Sequence, residues 1–167
     1  MKRTWAINMA RYNAWQNRSL YTAADTLSDE VRRTDKGAFF GGIHNTLAHI
    51  LWADRVWMHR FNQTLPVSPT TDQGQSADYA DWQKLKDDRV AFDKTIQNWA
   101  NTLSEDWLNS DFTWSNIAGT RTATRPAWQL VTHLFNHQTH HRGQAHALLT
   151  AAGAEPEDTD FFLMEMV

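Results

Sequence analysis

The last third of the chain is rich in imidazoles. Of eight histidines in 167 residues, five lie between 133 and 146: His133, His137, His140, His141 and His146. Neutral imidazole is a good ligand for zinc or nickel, and in zinc sites the nitrogen stands about 2.0–2.1 Å from the metal. On a helix, residues four apart share one face, so H-x-x-x-H is a preformed two-ligand claw. Two overlapping claws occur, His133/His137 and His137/His141. At about 100° per residue, an apolar stripe of Ala127, Leu134, Ala145 and Leu148 contains His141 and has His137 on its edge. His133 drifts outward, His140 lies nearly opposite the stripe and His146 falls on its far flank. The inward pair is therefore His137/His141. A third ligand must come from another helix, where His44, His49 and His59 are available. His49 shares a narrow second stripe with Thr46, Ala53 and Val56, but spacing does not choose among the three.

The elements that must carry these residues read as four long helices. The first spans 4–27, with Trp5, Met9, Tyr12 and Leu20 at helical spacing. Residues 28–38 are polar and read as a loop in which Ser28 caps a short turn. The second helix spans 40–62, with a stripe through Ile43, Leu47, Ile50, Asp54, Trp57 and Phe61. Residues 63–77 hold two prolines and a glycine and form a long loop. The third helix spans 78–103. Residues 111–124, threonine-rich around Gly119, read as a short β-hairpin or an extended crossover. Thr124 is placed to cap the fourth helix, with Pro126 in its first turn and Gly153 ending it near Ala152. The tail, 154–167, is expected to dock back on the bundle. The fold class is all-α: one domain over 1–167, a four-helix bundle with a long crossover and a hairpin or extended segment before the last helix.

Composition removes several functions. The chain has no cysteine, so disulfides, thiolate zinc sites and a cysteine nucleophile are excluded. A net charge of −3 offers no basic excess for phosphate backbones, so no nucleic-acid partner is expected. No stretch approaches the roughly 18–20 apolar residues of a membrane span, and the N-terminus lacks a signal-like apolar run. A cytoplasmic location is the expectation. No nucleophile-elbow motif and no glycine-rich phosphate loop is present. Nine tryptophans suggest a large aromatic core, with a homodimer interface as a further use.

The segment N-H-Q-T-H-H-R-G-Q, Asn136 to Gln144, closely resembles the fourth-helix hallmark of the DinB family, which includes YfiT-like metal proteins. HILWADRVWMHRF, His49 to Phe61, is similar to that family's second hallmark, and YNAW, Tyr12 to Trp15, to its first helix. The resemblance implies a bundle in up-down-down-up order, usually a homodimer, with one divalent metal held by His49, His137 and His141. It thus selects His49 where helical geometry alone does not. It also implies a small-molecule enzyme, either a thiol-dependent transferase using a low-molecular-weight thiol or a hydrolase.

Three histidines leave coordination positions open, as catalytic rather than structural sites do. Four residues could assist. Asp54 could orient a ligand histidine or pair with an arginine. Arg142 could hold an anionic substrate or form a structural ion pair. Gln144 could hydrogen-bond a water on the metal, and His140 could carry protons or simply be exposed. The alternative is a non-catalytic stress-response or binding module stabilised by the metal, with a fourth ligand from Glu155, Glu157 or Asp160. A third reading is a plain helical dimer that binds metal only adventitiously.

Overall fold

Four proline-free stretches with apolar residues at helical spacing form the long helices of the computed structural model, which describes residues 1–66, 79–116 and 118–164. In chain order the elements are α1 (Arg3–Asp25), α2 (Asp29–Arg33), α3 (Ile43–Phe61), α4 (Trp82–Thr102), α5 (Glu105–Leu108), β1 (Asp111–Ser115), β2 (Thr122–Pro126) and α6 (Ala127–Ala151). A 3-10 turn, Phe161–Leu163, follows in the tail. Most of the expected 63–77 loop (67–77), position 78 of the expected third helix, Ile117 of the hairpin and 165–167 lie outside the described residues.

Pairs of contacting side chains give the helix directions. Trp5 meets Phe135 and Tyr12 meets Arg142, so α1 and α6 run parallel. His49 meets His141 and Trp57 meets His133, so α3 is antiparallel to α6. Asn17 meets Asp93 and Asp25 meets Lys86, so α4 is antiparallel to α1. The order is up-down-down-up, as the family resemblance implied. Between the helices lies an apolar core in which Leu47, Ile50, Leu51, Leu85, Ile96, Leu134 and Phe135 are almost wholly buried.

Several boundaries differ from the sequence reading. Helix α3 starts at Ile43, not 40, because residues 36–41 close a tight turn first: Lys36 N–H donates to Gly41 O and Gly41 N–H to Ala38 O. Gly41 takes φ +80°, a left-handed conformation that glycine adopts at little cost. Helix α4 starts at Trp82 because the Asp81 carboxylate accepts from Lys84 N–H at 2.6 Å. Thr124 does not cap α6. It lies in β2, where its hydroxyl bonds Thr113 across the hairpin at 2.8 Å. Arg125 precedes a proline and is held extended, opposite Phe112, so the helix begins only after Pro126. Ser28 does cap a short helix, α2, through Val31 N–H.

The hairpin alternative holds, with β1 and β2 antiparallel and Thr113 opposite Thr124. Its inward residues, Phe112 and Trp114, extend the aromatic packing of one bundle end. Phe61 stacks on Trp99 at 5.2 Å and meets Trp107 and Phe112 edge-on. The tail docks along α1 through polar contacts and through Phe161, whose ring meets Tyr12 edge-on at 5.0 Å. Tyr12 Oη donates to Thr159 O and Gln16 Nε2 to Asp158 O, while Phe162 and Leu163 remain exposed. No helix among the described residues is long and apolar enough to cross a membrane.

Candidate metal centre

His49 on α3 and His137 and His141 on α6 converge in the groove between the two antiparallel helices. One ligand atom from each lies within 4.8 Å of the others, and they are the only such group among the described residues. The Nε2 atoms of His49 and His137 are 3.3 Å apart. Two nitrogens on one tetrahedral ion at the usual zinc distance stand about 3.3–3.4 Å apart. The spacing therefore fits shared coordination. His44 and His59, the other two candidates on this helix, are committed elsewhere: each bonds a backbone carbonyl, His44 that of Tyr79 and His59 that of Leu65.

The electrostatics suit a cation. Burial, reinforced by the neighbouring imidazoles, lowers the pKa of His137 to about 3. Burial also lowers that of His141, against the opposing effect of its bond to Gln144. Both rings are thus neutral at physiological pH, the form a metal requires.

The assisting residues divide. Gln144 is at the site, but behind it: its Oε1 accepts from His141 Nδ1–H at 2.7 Å. That bond fixes the tautomer, because an amide oxygen can only accept, and leaves Nε2 with its lone pair for a metal. Gln144 Nε2 lies 3.3 Å from His140 Nε2, so exposed His140 is tied to the same residue. Asp54 and Arg142 point away, into the bundle. Asp54 is fully buried and accepts from Arg89 Nη1 at 2.6 Å. Of its two sequence readings, the arginine partner is the one observed. Arg142 lies beneath Tyr12, 5.6 Å from the ring centroid, and donates to Thr139 Oγ1.

Sequence reasoning missed two features. The first is Phe40, whose ring stacks on His49 with centroids 3.9 Å apart and tilts toward His141 at 5.4 Å. The Gly41-Gly42 pair was the available signal. A Cβ on Gly42 would stand 2.7 Å from Thr34 O, so the chain reverses here only with glycine. The second is the buried ion network behind Asp54. Arg89 Nη2 lies 2.8 Å from Asp93 Oδ1, which also accepts from Asn17 Nδ2 at 2.9 Å. Burial raises the pKa of Asp54 to about 6 against the pull of Arg89, which leaves it ionised at neutral pH.

Glu155, Glu157 and Asp160 do not approach the histidines. Glu157 accepts from Trp15 Nε1 and its own N–H donates to Ser19, Glu155 lines the same stretch of α1, and Asp160 lies near Tyr12.

Comparison with known proteins agrees with this architecture. Over 160 residues the chain is 22% identical to Protein DinB of Bacillus subtilis (strain 168), covering 95% of this chain and 92% of that protein. The crystal structure of a DinB-like protein from Bacillus cereus ATCC 10987 superposes with a TM-score of 0.62 at 19% identity, over 86% of this chain and 90% of that one. The family model described as "DinB family" matches residues 1–166, and the chain belongs to that family.

Proposed function

We propose that His49, His137 and His141 hold one divalent transition metal, zinc or nickel, and that the centre acts on a small molecule by thiol transfer or hydrolysis. The observation that carries this reading is the 3.3 Å approach of two imidazole nitrogens within a trio of ligand atoms. Without a cation, such an approach would bring two lone pairs, or two N–H groups, face to face unless one ring donates to the other. When bound, the metal would supply Lewis acidity to a water or a low-molecular-weight thiol at an open position.

The chain's own residues have definable parts. Gln144 holds the His141 ring with Nε2 toward the groove. Phe40 covers the His49 ring and excludes water from one side. The acidic tail residues lie along α1, which supports an open centre over the four-ligand, metal-stabilised module. The same reading includes a homodimer without nucleic-acid or membrane partners. Exposed Phe39 and Trp128 and the net charge of −3 support it.

The test is metal content by plasma mass spectrometry on untagged protein from unsupplemented medium, for wild type and His137→Ala. Thiol-conjugation and ester-hydrolysis assays on stripped and reloaded protein follow. About one equivalent in the wild type only, with metal-dependent turnover, is expected. Equal metal in both proteins overturns the site. Metal without turnover in either assay favours the binding module.

A further inference from the structure

At the C-terminal end of α3, against the hairpin, lies a cavity of about 570 Å³ lined by Val56, Arg60 and Phe61 of α3 and by Phe112 and Trp114 of β1. That volume is within the usual range for small-molecule pockets, about 300–1,000 Å³. Phe61, Phe112 and Trp114 give it an aromatic side, Gln63, Thr113 and Ser115 a polar one, and none of its lining residues is acidic. Arg60 is its cation. The guanidinium carbon sits in the corner formed by two indoles, 4.5 Å from the Trp57 centroid and 4.7 Å from that of Trp114. Every other half-buried or buried arginine that meets a carboxylate does so through a close ion pair, as Arg55 does with Asp88 and Arg89 with Asp54. Among the described residues Arg60 has no carboxylate partner. Indole faces hold the guanidinium carbon and leave its in-plane N–H edge free, the edge that takes a carboxylate bidentately. The Trp114 Nε1–H is also buried without an acceptor. Arg60 is thus a charged donor on a cavity that offers an aromatic side and no acid.

The cavity lies on the side of α3 that also carries His49. Rings step from His137 to His133 at 5.9 Å, to Trp57 at 4.9 Å and on to Trp114 at 5.3 Å. Val56 and His49 share one face of α3, and Arg60 lies two turns further along than Trp52 on that side. Between His49 and Arg60 the helix rises roughly 16 Å, shortened by an arginine side chain that leans toward the helix N-terminus.

We propose that this cavity receives the anionic end of the substrate: a small organic carboxylate with an apolar or aromatic body, whose other end faces His49, His137 and His141. The link to the histidines rests on the function proposed above. The pocket itself does not.

The probes are 6-phenylhexanoate and its uncharged amide, measured by calorimetry and by the indole N–H resonance of Trp114, assigned with Trp114→Phe. In metal-stripped wild type and in His137→Ala alike, the carboxylate is expected to bind about 10–100-fold tighter than the amide, as charge-assisted hydrogen bonding predicts. Arg60→Gln removes that preference and Arg60→Lys keeps part of it, with folding verified by circular dichroism. Equal binding of carboxylate and amide overturns the pocket. So does carboxylate binding that depends on the histidines, or that survives Arg60→Gln unchanged. In cobalt(II)-loaded wild type, the ring protons of the probe are expected to relax faster than the methylene next to its carboxylate. The reverse order overturns the orientation. If the wild type takes up no cobalt, the proposed function fails while the carboxylate preference of Arg60 stands or falls on its own measurements.

Discussion

Two buried polar groups lie back to back on α6, one residue apart in sequence. Gln138 and Arg142 face the bundle interior and the ions of α3 and α4, whereas His137 and His141 face the groove with His49. The interior group is matched: Asp54 and Asp93 oppose Arg89 and Arg142, and the shortest contacts are 2.6–2.8 Å. The groove group is unmatched. Burial lowers the pKa of His137 and His141, which are neutral, and no carboxylate joins the group among the described residues. A charge-matched network needs no further counter-charge and mainly specifies packing. A cluster of like ligands without counter-charge becomes favourable when a cation arrives. The contrast assigns structure to one face and binding to the other, and it can be tested from both sides.

The largest effect is expected from the matched face. Asp54→Ala leaves Arg89 buried without its 2.6 Å partner, and urea unfolding should show a loss of about 3–5 kcal/mol. In metal-free protein His137→Ala should change stability by less than about 1 kcal/mol, since it deletes a half-buried neutral ring without an ion pair. A comparable loss in both variants would erase the distinction.

Next, zinc or nickel at 100 times its dissociation constant should stabilise the wild type by about 2.7 kcal/mol and His137→Ala hardly at all. Thermal unfolding with and without metal measures this. Stabilisation of both would place the cation elsewhere.

Gln144→Leu sharpens the comparison within the binding face. Releasing His141 Nδ1 should weaken metal affinity about 10–100-fold while leaving metal-free stability nearly unchanged. Competition with a chromophoric chelator reads the affinity. An unaltered affinity would mean that the 2.7 Å bond does not hold the ring in place.

The smallest effect concerns His44, a buried histidine on α3 that serves structure. Burial lowers its pKa below the ordinary 6.5, outweighing the bond to Tyr79 O. The folded protein therefore binds fewer protons here than the unfolded chain just below pH 6.5. His44's contribution is fully present above that pH and is lost as pH falls through its folded pKa. His44→Asn should flatten the fall of urea midpoint on acidification from pH 7 to 5. An unchanged slope would assign the pH dependence to other groups.

Much of the architecture was legible in the sequence, and for identifiable reasons. Helical periodicity reports which side chains share a face, so the four long helices and the pairing of His137 with His141 on one face followed from spacing. The Asn136–Gln144 motif carried the family. Boundaries were less legible where local chemistry competes with periodicity. Phe40 was assigned to a helix that Gly41 and Gly42 delay, and Thr124 to a cap that the residue before Pro126 cannot permit.

What spacing could not supply was the partner across the bundle. A helical wheel states the direction in which Asp54 points, but not that Arg89, on α4 and 35 residues away, meets it there. It could not choose His49 over His44 and His59, because the choice depends on the axial offset of α3 against α6. That offset is set by how their apolar side chains interdigitate along the whole interface. Nor could it place Arg60 beside a tryptophan from the hairpin, since β1 reaches that end of the bundle only through tertiary packing. The sequence by itself determined which residues could act and which faces they occupy. The tertiary structure decided which of them meet, because contacts between distant segments are created by packing and are not encoded in the period of any one helix.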